Sequence, residues 1–299
     1  MRNAIKTMFL PLLGLLLAPL AALAQAQPAA VPPAPSLWHV KTEQGEAYLL
    51  GSVHVLPPGF NWQTPSISRG LARSDVLVFE VPQDETAMAQ LQSLIQAKGM
   101  LAPSESLRGL LDSKSLPDYD AAVAAAGLQP DIVNHERPWL AGLQIMFAQM
   151  AKQKYDPGSG VDATLMAGAA KTHKPMRYLE TIEEQFALLA PDDRILEVQE
   201  FESSLKDLRD ISAELDPLIK AWSRGDQAQL DKLINGDLDE FPQARKLLLD
   251  DRNKRWLPKI QAMLKEKHVF FITVGAGHLT GPAGVPALLR KAGYKVEGP

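Results

Sequence analysis

The sequence predicts an α/β fold with a mixed, mainly parallel central sheet, flanked by helices and carrying large helical insertions. Three observations lead to that class. Nearly unbroken apolar runs recur at Tyr48–Leu50, Asp75–Val81 and Val269–Val274, the composition of strands buried on both faces. Long segments between them space their apolar residues as helices do. Two of the runs end in the same pattern, Gly51-Ser52-Val53-His54 and Gly275-Ala276-Gly277-His278. Glycine allows a sharp turn or a close approach there, and a histidine just past a strand points at the edge where open α/β sheets bind ligands.

Taken in order, the chain begins with Arg2 and Lys6 before an apolar run from Met8 to Leu23, interrupted by Pro11, Gly14 and Pro19. Small residues at Ala22-Leu23-Ala24 follow, so residues 1–24 are expected to be a secretory signal peptide cut after Ala24, the alternative being an uncleaved anchor. Residues 25–35 form a Pro/Ala-rich linker. Residues 36–299 then make one α/β domain with helical insertions at about 84–172 and 192–266. Leu37–Lys41 and Glu46–Leu50, joined by Thr42-Glu43-Gln44-Gly45, predict a hairpin, and Asp75–Val81 a third strand closed by Pro82. Helices are expected over 85–98, 104–111, 119–126, 138–152 and 160–172. Lys174–Glu180 predicts another strand, and Thr181-Ile182-Glu183-Glu184 a capping box that starts a helix at once. More helices fill 192–266 with breaks at Pro217, Gly225 and Gly236. Strand 268–274, a helix over 285–292 and a last strand at Tyr294–Glu297 finish the chain.

Composition narrows the function. No cysteine is present, which excludes a lipoprotein anchor, disulfides and thiolate ligands. Without Arg2 and Lys6, 29 basic residues face 35 acidic ones, a net charge of about −6. Nucleic acid is not an expected partner of so acidic a chain. No other run is long enough for a membrane span, so no stable anchor is expected after signal cleavage, and the compartment is periplasmic or extracellular. Nothing in the sequence sets an oligomeric state.

His54, Glu80, Glu180 and His278 each fall at or just beyond the carboxyl end of a predicted strand. In a parallel sheet those ends share one edge, so the four side chains can converge. Imidazole and carboxylate together suit a divalent transition metal such as Mn, Co or Zn, which would acidify bound water. On this reading His54, Glu80 and His278 hold the metal, with Gly51, Gly275 and Gly277 shaping the motifs. Glu180 serves as general base and Arg252 as oxyanion stabiliser, with Asn253 beside it. The plain alternatives are a surface or helix-capping role for Glu80, a helix-dipole role for Glu180, and a solvated face for Arg252. Arg137 and Asp162 are weaker supporting candidates. A Gly-x-Ser-x-Gly elbow, a His-Glu-x-x-His motif and a correctly spaced dinucleotide loop are all missing.

Tyr48–Val55 and Val274–Val285 resemble the two signatures of the TraB/GumN family. Asp75–Glu80, Gly160-Val161-Asp162, Leu179-Glu180-Thr181 with Glu184-Gln185, and Arg252-Asn253 follow its pattern in order. The resemblance implies an α/β core with helical insertions. It also implies kinship with the Tiki metalloproteases, which use Mn²⁺ or Co²⁺, and more distantly with erythromycin esterase-like and haem-binding ChaN-like proteins. The resulting expectation is an exported, metal-dependent hydrolase of amide or ester bonds acting on a peptide or small molecule. Its rival is a binding protein that holds haem or a metal through the same histidines without catalysis.

Overall fold

The sheet edge named above exists because four strands run parallel. A computed structural model describes residues 33–190, 193–239 and 242–299. The proposed signal peptide and most of the linker lie outside the described residues. Strands β1 (Leu37–Lys41), β2 (Glu46–Ser52), β3 (Val76–Phe79), β4 (Met176–Tyr178), β5 (Val269–Gly275) and β6 (Val296–Glu297) form one sheet in the order β4-β3-β5-β2-β1-β6. β2, β5, β3 and β4 are mutually parallel, whereas β1 pairs antiparallel with β2 and β6 antiparallel with β1. The sheet is therefore mixed and mainly parallel, with helices filling the crossovers, as predicted.

The described chain divides into two compact units, one made of Gln83–Tyr155 and Ile182–Leu215, the other holding the sheet with Asp156–Thr181 and Asp216–Pro299. Alternation along the strands assigns the two sheet faces. Ala47, Leu49, Val78, Phe270, Ile272 and Val274 lie on one face, in a core completed by Trp256, Ile260 and Met263 of the helix Asp251–Met263 and by Val285 and Leu289 of the helix Val285–Lys291. Arg252, Trp256, Ile260 and Met263 recur at helical spacing and are all buried, so the helix that fills the core also carries Arg252 to the sheet. The opposite face presents Tyr48, Leu50 and Ser52 beside Phe271, Thr273 and Gly275 in register.

In the first unit the helix Pro138–Lys152 is buried on most of its surface. Proline at its first position costs no hydrogen bond there. Trp139 meets Phe186 edge-on at 5.5 Å. The fully buried Glu197 accepts from Arg137 at 2.7 Å and from the Trp139 amide at 3.2 Å. Asp84 caps the helix Glu85–Lys98 through the Ala87 amide.

Some boundaries move. The segment expected helical over 104–111 keeps only Leu107–Leu110, and an unforeseen helix, Pro65–Arg73, is capped by Thr64 with proline at its start. Gly225, at φ +67°, separates two helices as expected. Pro217 and Gly236 do not break theirs, lying inside Ser212–Ser223 and Gln227–Asp239. Leu215, Leu218, Ile219 and Trp222 are buried along the first, and Leu230, Ile234 and Leu238 along the second. Apolar burial on that scale outweighs a proline or glycine penalty of ~1–3 kcal/mol. Among the described residues no helix is long and apolar enough to cross a membrane.

Candidate functional site

Two glycine motifs and two acidic strand ends meet at one place because the strands that carry them are neighbours. His54 follows β2 by two residues, and His278 sits in the tight turn Ala276–Leu279 directly after β5. Glu80 follows β3 and Glu180 lies just beyond β4, its amide bonded to the Glu80 carbonyl at 2.8 Å. All four side chains are buried. Gly275 shows how close they come: a Cβ there would lie 3.3 Å from Glu80 Oε1, 3.4 Å from His54 Nε2 and 3.6 Å from His278 Cδ2. A side chain at this position would press on both His54 and Glu80. Gly51 packs the first motif against the second, where an added Cβ would stand 3.0 Å from Ala276 Cα. Gly277 lies against Ile234.

His54 Nδ1 is 2.7 Å from Asp162 Oδ2, both side chains being buried. Asp162 is the second residue of the helix Val161–Thr172, and Gly160 brings that helix in. A Cβ on Gly160 would lie 2.1 Å from the His54 carbonyl oxygen, so only glycine lets the two backbones pass. Burial alone would lower the His54 pKa, but the Asp162 charge and hydrogen bond, aided by Glu80, raise it above the ordinary value.

His278 is held in the opposite state. Asn253 Nδ2 donates to the Ala283 carbonyl at 2.9 Å, which turns Asn253 Oδ1 to His278 Nδ1 at 2.7 Å. His278 Nδ1–H therefore donates, and Nε2 accepts from Arg252 Nη1 at 3.0 Å. Burial, together with the positive charges of Arg252 and His54, holds the His278 pKa well below its usual range. The ring also packs on Trp256 at 4.3 Å between centroids.

Arg252 is fully buried and saturated. Nε donates to both Glu180 oxygens at 3.0 and 3.1 Å, and Nη2 to Glu180 at 2.8 Å and to Glu80 at 2.5 Å. Nη1 serves His278 and, at 3.3 Å, the Leu248 carbonyl. That carbonyl belongs to a π-helical turn, Lys246–Asp250, leading into the helix, a feature common at functional sites. The guanidinium lies 4.8 Å over the Trp256 ring. Glu180 also meets the half-exposed Arg255 at 3.3 Å, and Glu80 Oε1 takes the Gly275 amide at 2.7 Å.

This arrangement decides how a metal would fit. The donor types suit a divalent transition metal, yet the donor atoms of His278 and Glu80 already accept from protein N–H groups. His278 Nε2 and Glu80 Oε2 both face Arg252, and the guanidinium already supplies positive charge at that point. Among the described residues no group of three His, Asp or Glu side chains has a metal-ligating arrangement. As arranged, the residues do not fit an ion held by His54, Glu80 and His278 together.

Each expected residue has defined partners. Glu180, expected as general base, is clasped by two guanidinium groups. Arg252, expected to stabilise an oxyanion, has every N–H engaged inside the protein. Asp162, lightly weighted in the sequence, is the partner of His54. Arg137 belongs to the first unit and is paired there with Glu197. Sequence reasoning missed two hydroxyls. Ser52 and Thr273 are buried on the Gly275 face of the sheet by register, and neither hydroxyl has a hydrogen-bond partner among the described residues. Their signal was available in Gly-Ser-x-His and in a threonine two residues before the second motif.

The TraB/PrgY/gumN family model matches residues 36–298. "Uncharacterized protein YbaP" of Shigella flexneri is 23% identical over 248 residues, covering 82% of this chain and 88% of that protein. Its Escherichia coli (strain K12) namesake is 23% identical over 247 residues, with 81% and 87% covered. An "Uncharacterized protein" of Treponema pallidum (strain Nichols) is 21% identical over 269 residues, with 85% and 80% covered. No solved structure gives a significant match.

Proposed function

The chain belongs to the TraB/PrgY/gumN family, and from that premise we propose that it is an exported hydrolase of amide or ester bonds in which His54 activates water. The observation that carries this reading is the buried His54–Asp162 pair at 2.7 Å. A carboxylate on Nδ1 fixes the ring and stabilises the imidazolium that forms when Nε2 takes a proton. Nε2 and Glu80 Oε1 both lie beside Gly275, 3.4 and 3.3 Å from where a Cβ would stand. Water held there would lose its proton to His54 as it attacks a carbonyl carbon, and the same imidazolium would return a proton to the leaving amine or alcohol. The unpartnered hydroxyls of Ser52 and Thr273 favour a polar occupant, since a buried hydroxyl without a partner costs ~1–3 kcal/mol. Arg252, Asn253 and Glu180 act as positioning residues that hold Glu80 and His278 in place.

The test is a panel of chromogenic esters, amides and unstructured peptides given to the protein lacking residues 1–24, each assayed with chelator and with added Mn²⁺, Co²⁺ or Zn²⁺. Turnover is expected for at least one class, falling ~10²–10⁴-fold in His54→Gln, the usual contribution of a general base. No turnover of any class under any of these conditions refutes the reading. Turnover that requires added metal would restore the metal-dependent form with His54, Glu80 and His278 as ligands. A Soret band on haem addition that His54→Ala abolishes, without turnover, would favour the binding-protein alternative.

A further inference from the structure

We propose that Arg252 is a resident cation standing where a divalent metal ion would otherwise sit among Glu80, His278 and His54. This inference holds whether or not the site hydrolyses anything. Three features of the site carry it.

The first is saturation. A guanidinium offers five N–H groups in a rigid fork, and those of Arg252 meet Glu80, Glu180, His278 Nε2 and the Leu248 carbonyl at 2.5–3.3 Å. Its acceptors include one imidazole nitrogen and a carboxylate oxygen, the atoms a transition metal would take. The second is charge. Glu80 and Glu180 face Arg252 and Arg255, and Asp162 faces His54. Both glutamates already have a guanidinium against them, so an added divalent ion would bring an uncompensated buried positive charge. The third is spacing. His278 Nε2 and Glu80 Oε1 stand 3.9 Å apart, whereas two ligands of one tetrahedral ion at ~2.1 Å lie about 3.4 Å apart. Shortening the arginine would leave a pair of donors within about half an ångström of that separation, with His54 Nε2 beside the same Gly275 position as Glu80 Oε1. Asn253 already fixes the tautomer whose Nε2 lone pair a metal would need.

The site is therefore held together without a metal, and loses that independence when Arg252 is shortened. The experiment titrates Co²⁺ and Zn²⁺ into the wild-type chain, Arg252→Ala and the Arg252→Ala/His278→Ala double variant. Visible d–d absorption of Co²⁺ and metal content after gel filtration are the readouts. The wild type should take up less than a tenth of an equivalent. Arg252→Ala should take up one equivalent, with an absorption band that the double variant lacks. Where Arg252→Ala folds only with metal present, refolding with Co²⁺ against refolding with chelator gives the same support. A wild-type chain that retains one equivalent of metal, and loses it in His278→Ala, overturns the proposal. So does an Arg252→Ala variant that folds but binds no metal, or one that neither metal restores to the fold.

Discussion

Replacing Gly160 by alanine should pull Asp162 away from His54. A Cβ at Gly160 would lie 2.1 Å from the His54 carbonyl oxygen, 2.6 Å from its carbonyl carbon and 3.0 Å from the Pro157 carbonyl oxygen. All three are backbone atoms, so no rotamer change relieves the contact. Gly160 has φ −60° and ψ 159°, a conformation open to alanine, so the clash alone decides the outcome. Non-bonded heavy atoms normally sit ~3.5 Å apart, so the start of the helix Val161–Thr172 must retreat by about an ångström. Asp162 goes with it, and its 2.7 Å bond to His54 stretches past the limit of a hydrogen bond. Overpacking costs ~1–3 kcal/mol and loss of a charged hydrogen bond ~1.5–3 kcal/mol, so Gly160→Ala should destabilise the fold by about 2.5–6 kcal/mol. Urea unfolding followed by tryptophan fluorescence measures the loss, and NMR titration of His54 follows its proton. In the variant the His54 midpoint should fall, because burial remains while the Asp162 charge recedes. A variant within ~0.5 kcal/mol of wild type, an ordinary surface-substitution effect, with an unchanged His54 midpoint, would refute the close-approach argument.

Two further outcomes follow from buried carboxylates. Glu136, in the first unit, is buried with Oε2 unpartnered among the described residues and Oε1 accepting from Gln144. Burial pushes its pKa up to about 7 from an ordinary 4.5. Its contribution to stability is therefore full below pH 4.5 and is lost as the pH rises through about 7. At ~1.4 kcal/mol per pH unit that gap is worth about 3 kcal/mol. Glu136→Gln should match wild type at pH 4 and exceed it by up to that amount at pH 8, read from urea midpoints; equal stabilities at pH 8 would contradict the assignment. Asp162→Asn should lower the His54 midpoint below the ordinary imidazole value, since burial then acts without the neighbouring charge. The stability gained from protonated His54 at acid pH should shrink with it, and an unmoved NMR midpoint would detach Asp162 from any role at His54.

Much of the sheet and its edge was legible in the sequence. Unbroken apolar runs identify buried parallel strands, and residues just past such strands share an edge by geometry alone, so His54, Glu80, Glu180 and His278 could be grouped without knowing a single contact. The turn chemistry at Thr42–Gly45 and the capping signal at Thr181 were equally local. What the sequence could not rank was partnership. Asp162 and His54 are separated by 108 positions and Arg252 and Glu80 by 172, and Coulombic pairing depends on distance through space and on burial, neither of which has a local sequence pattern. The same limit explains Pro217 and Gly236, whose breaking tendency is local while the apolar burial that overrides it is tertiary. The motifs determined which side chains reach the sheet edge. Packing of the helix Asp251–Met263 against the sheet decided that a buried guanidinium stands among them, because only the folded core brings Arg252 within hydrogen-bond reach of two carboxylates and an imidazole at once.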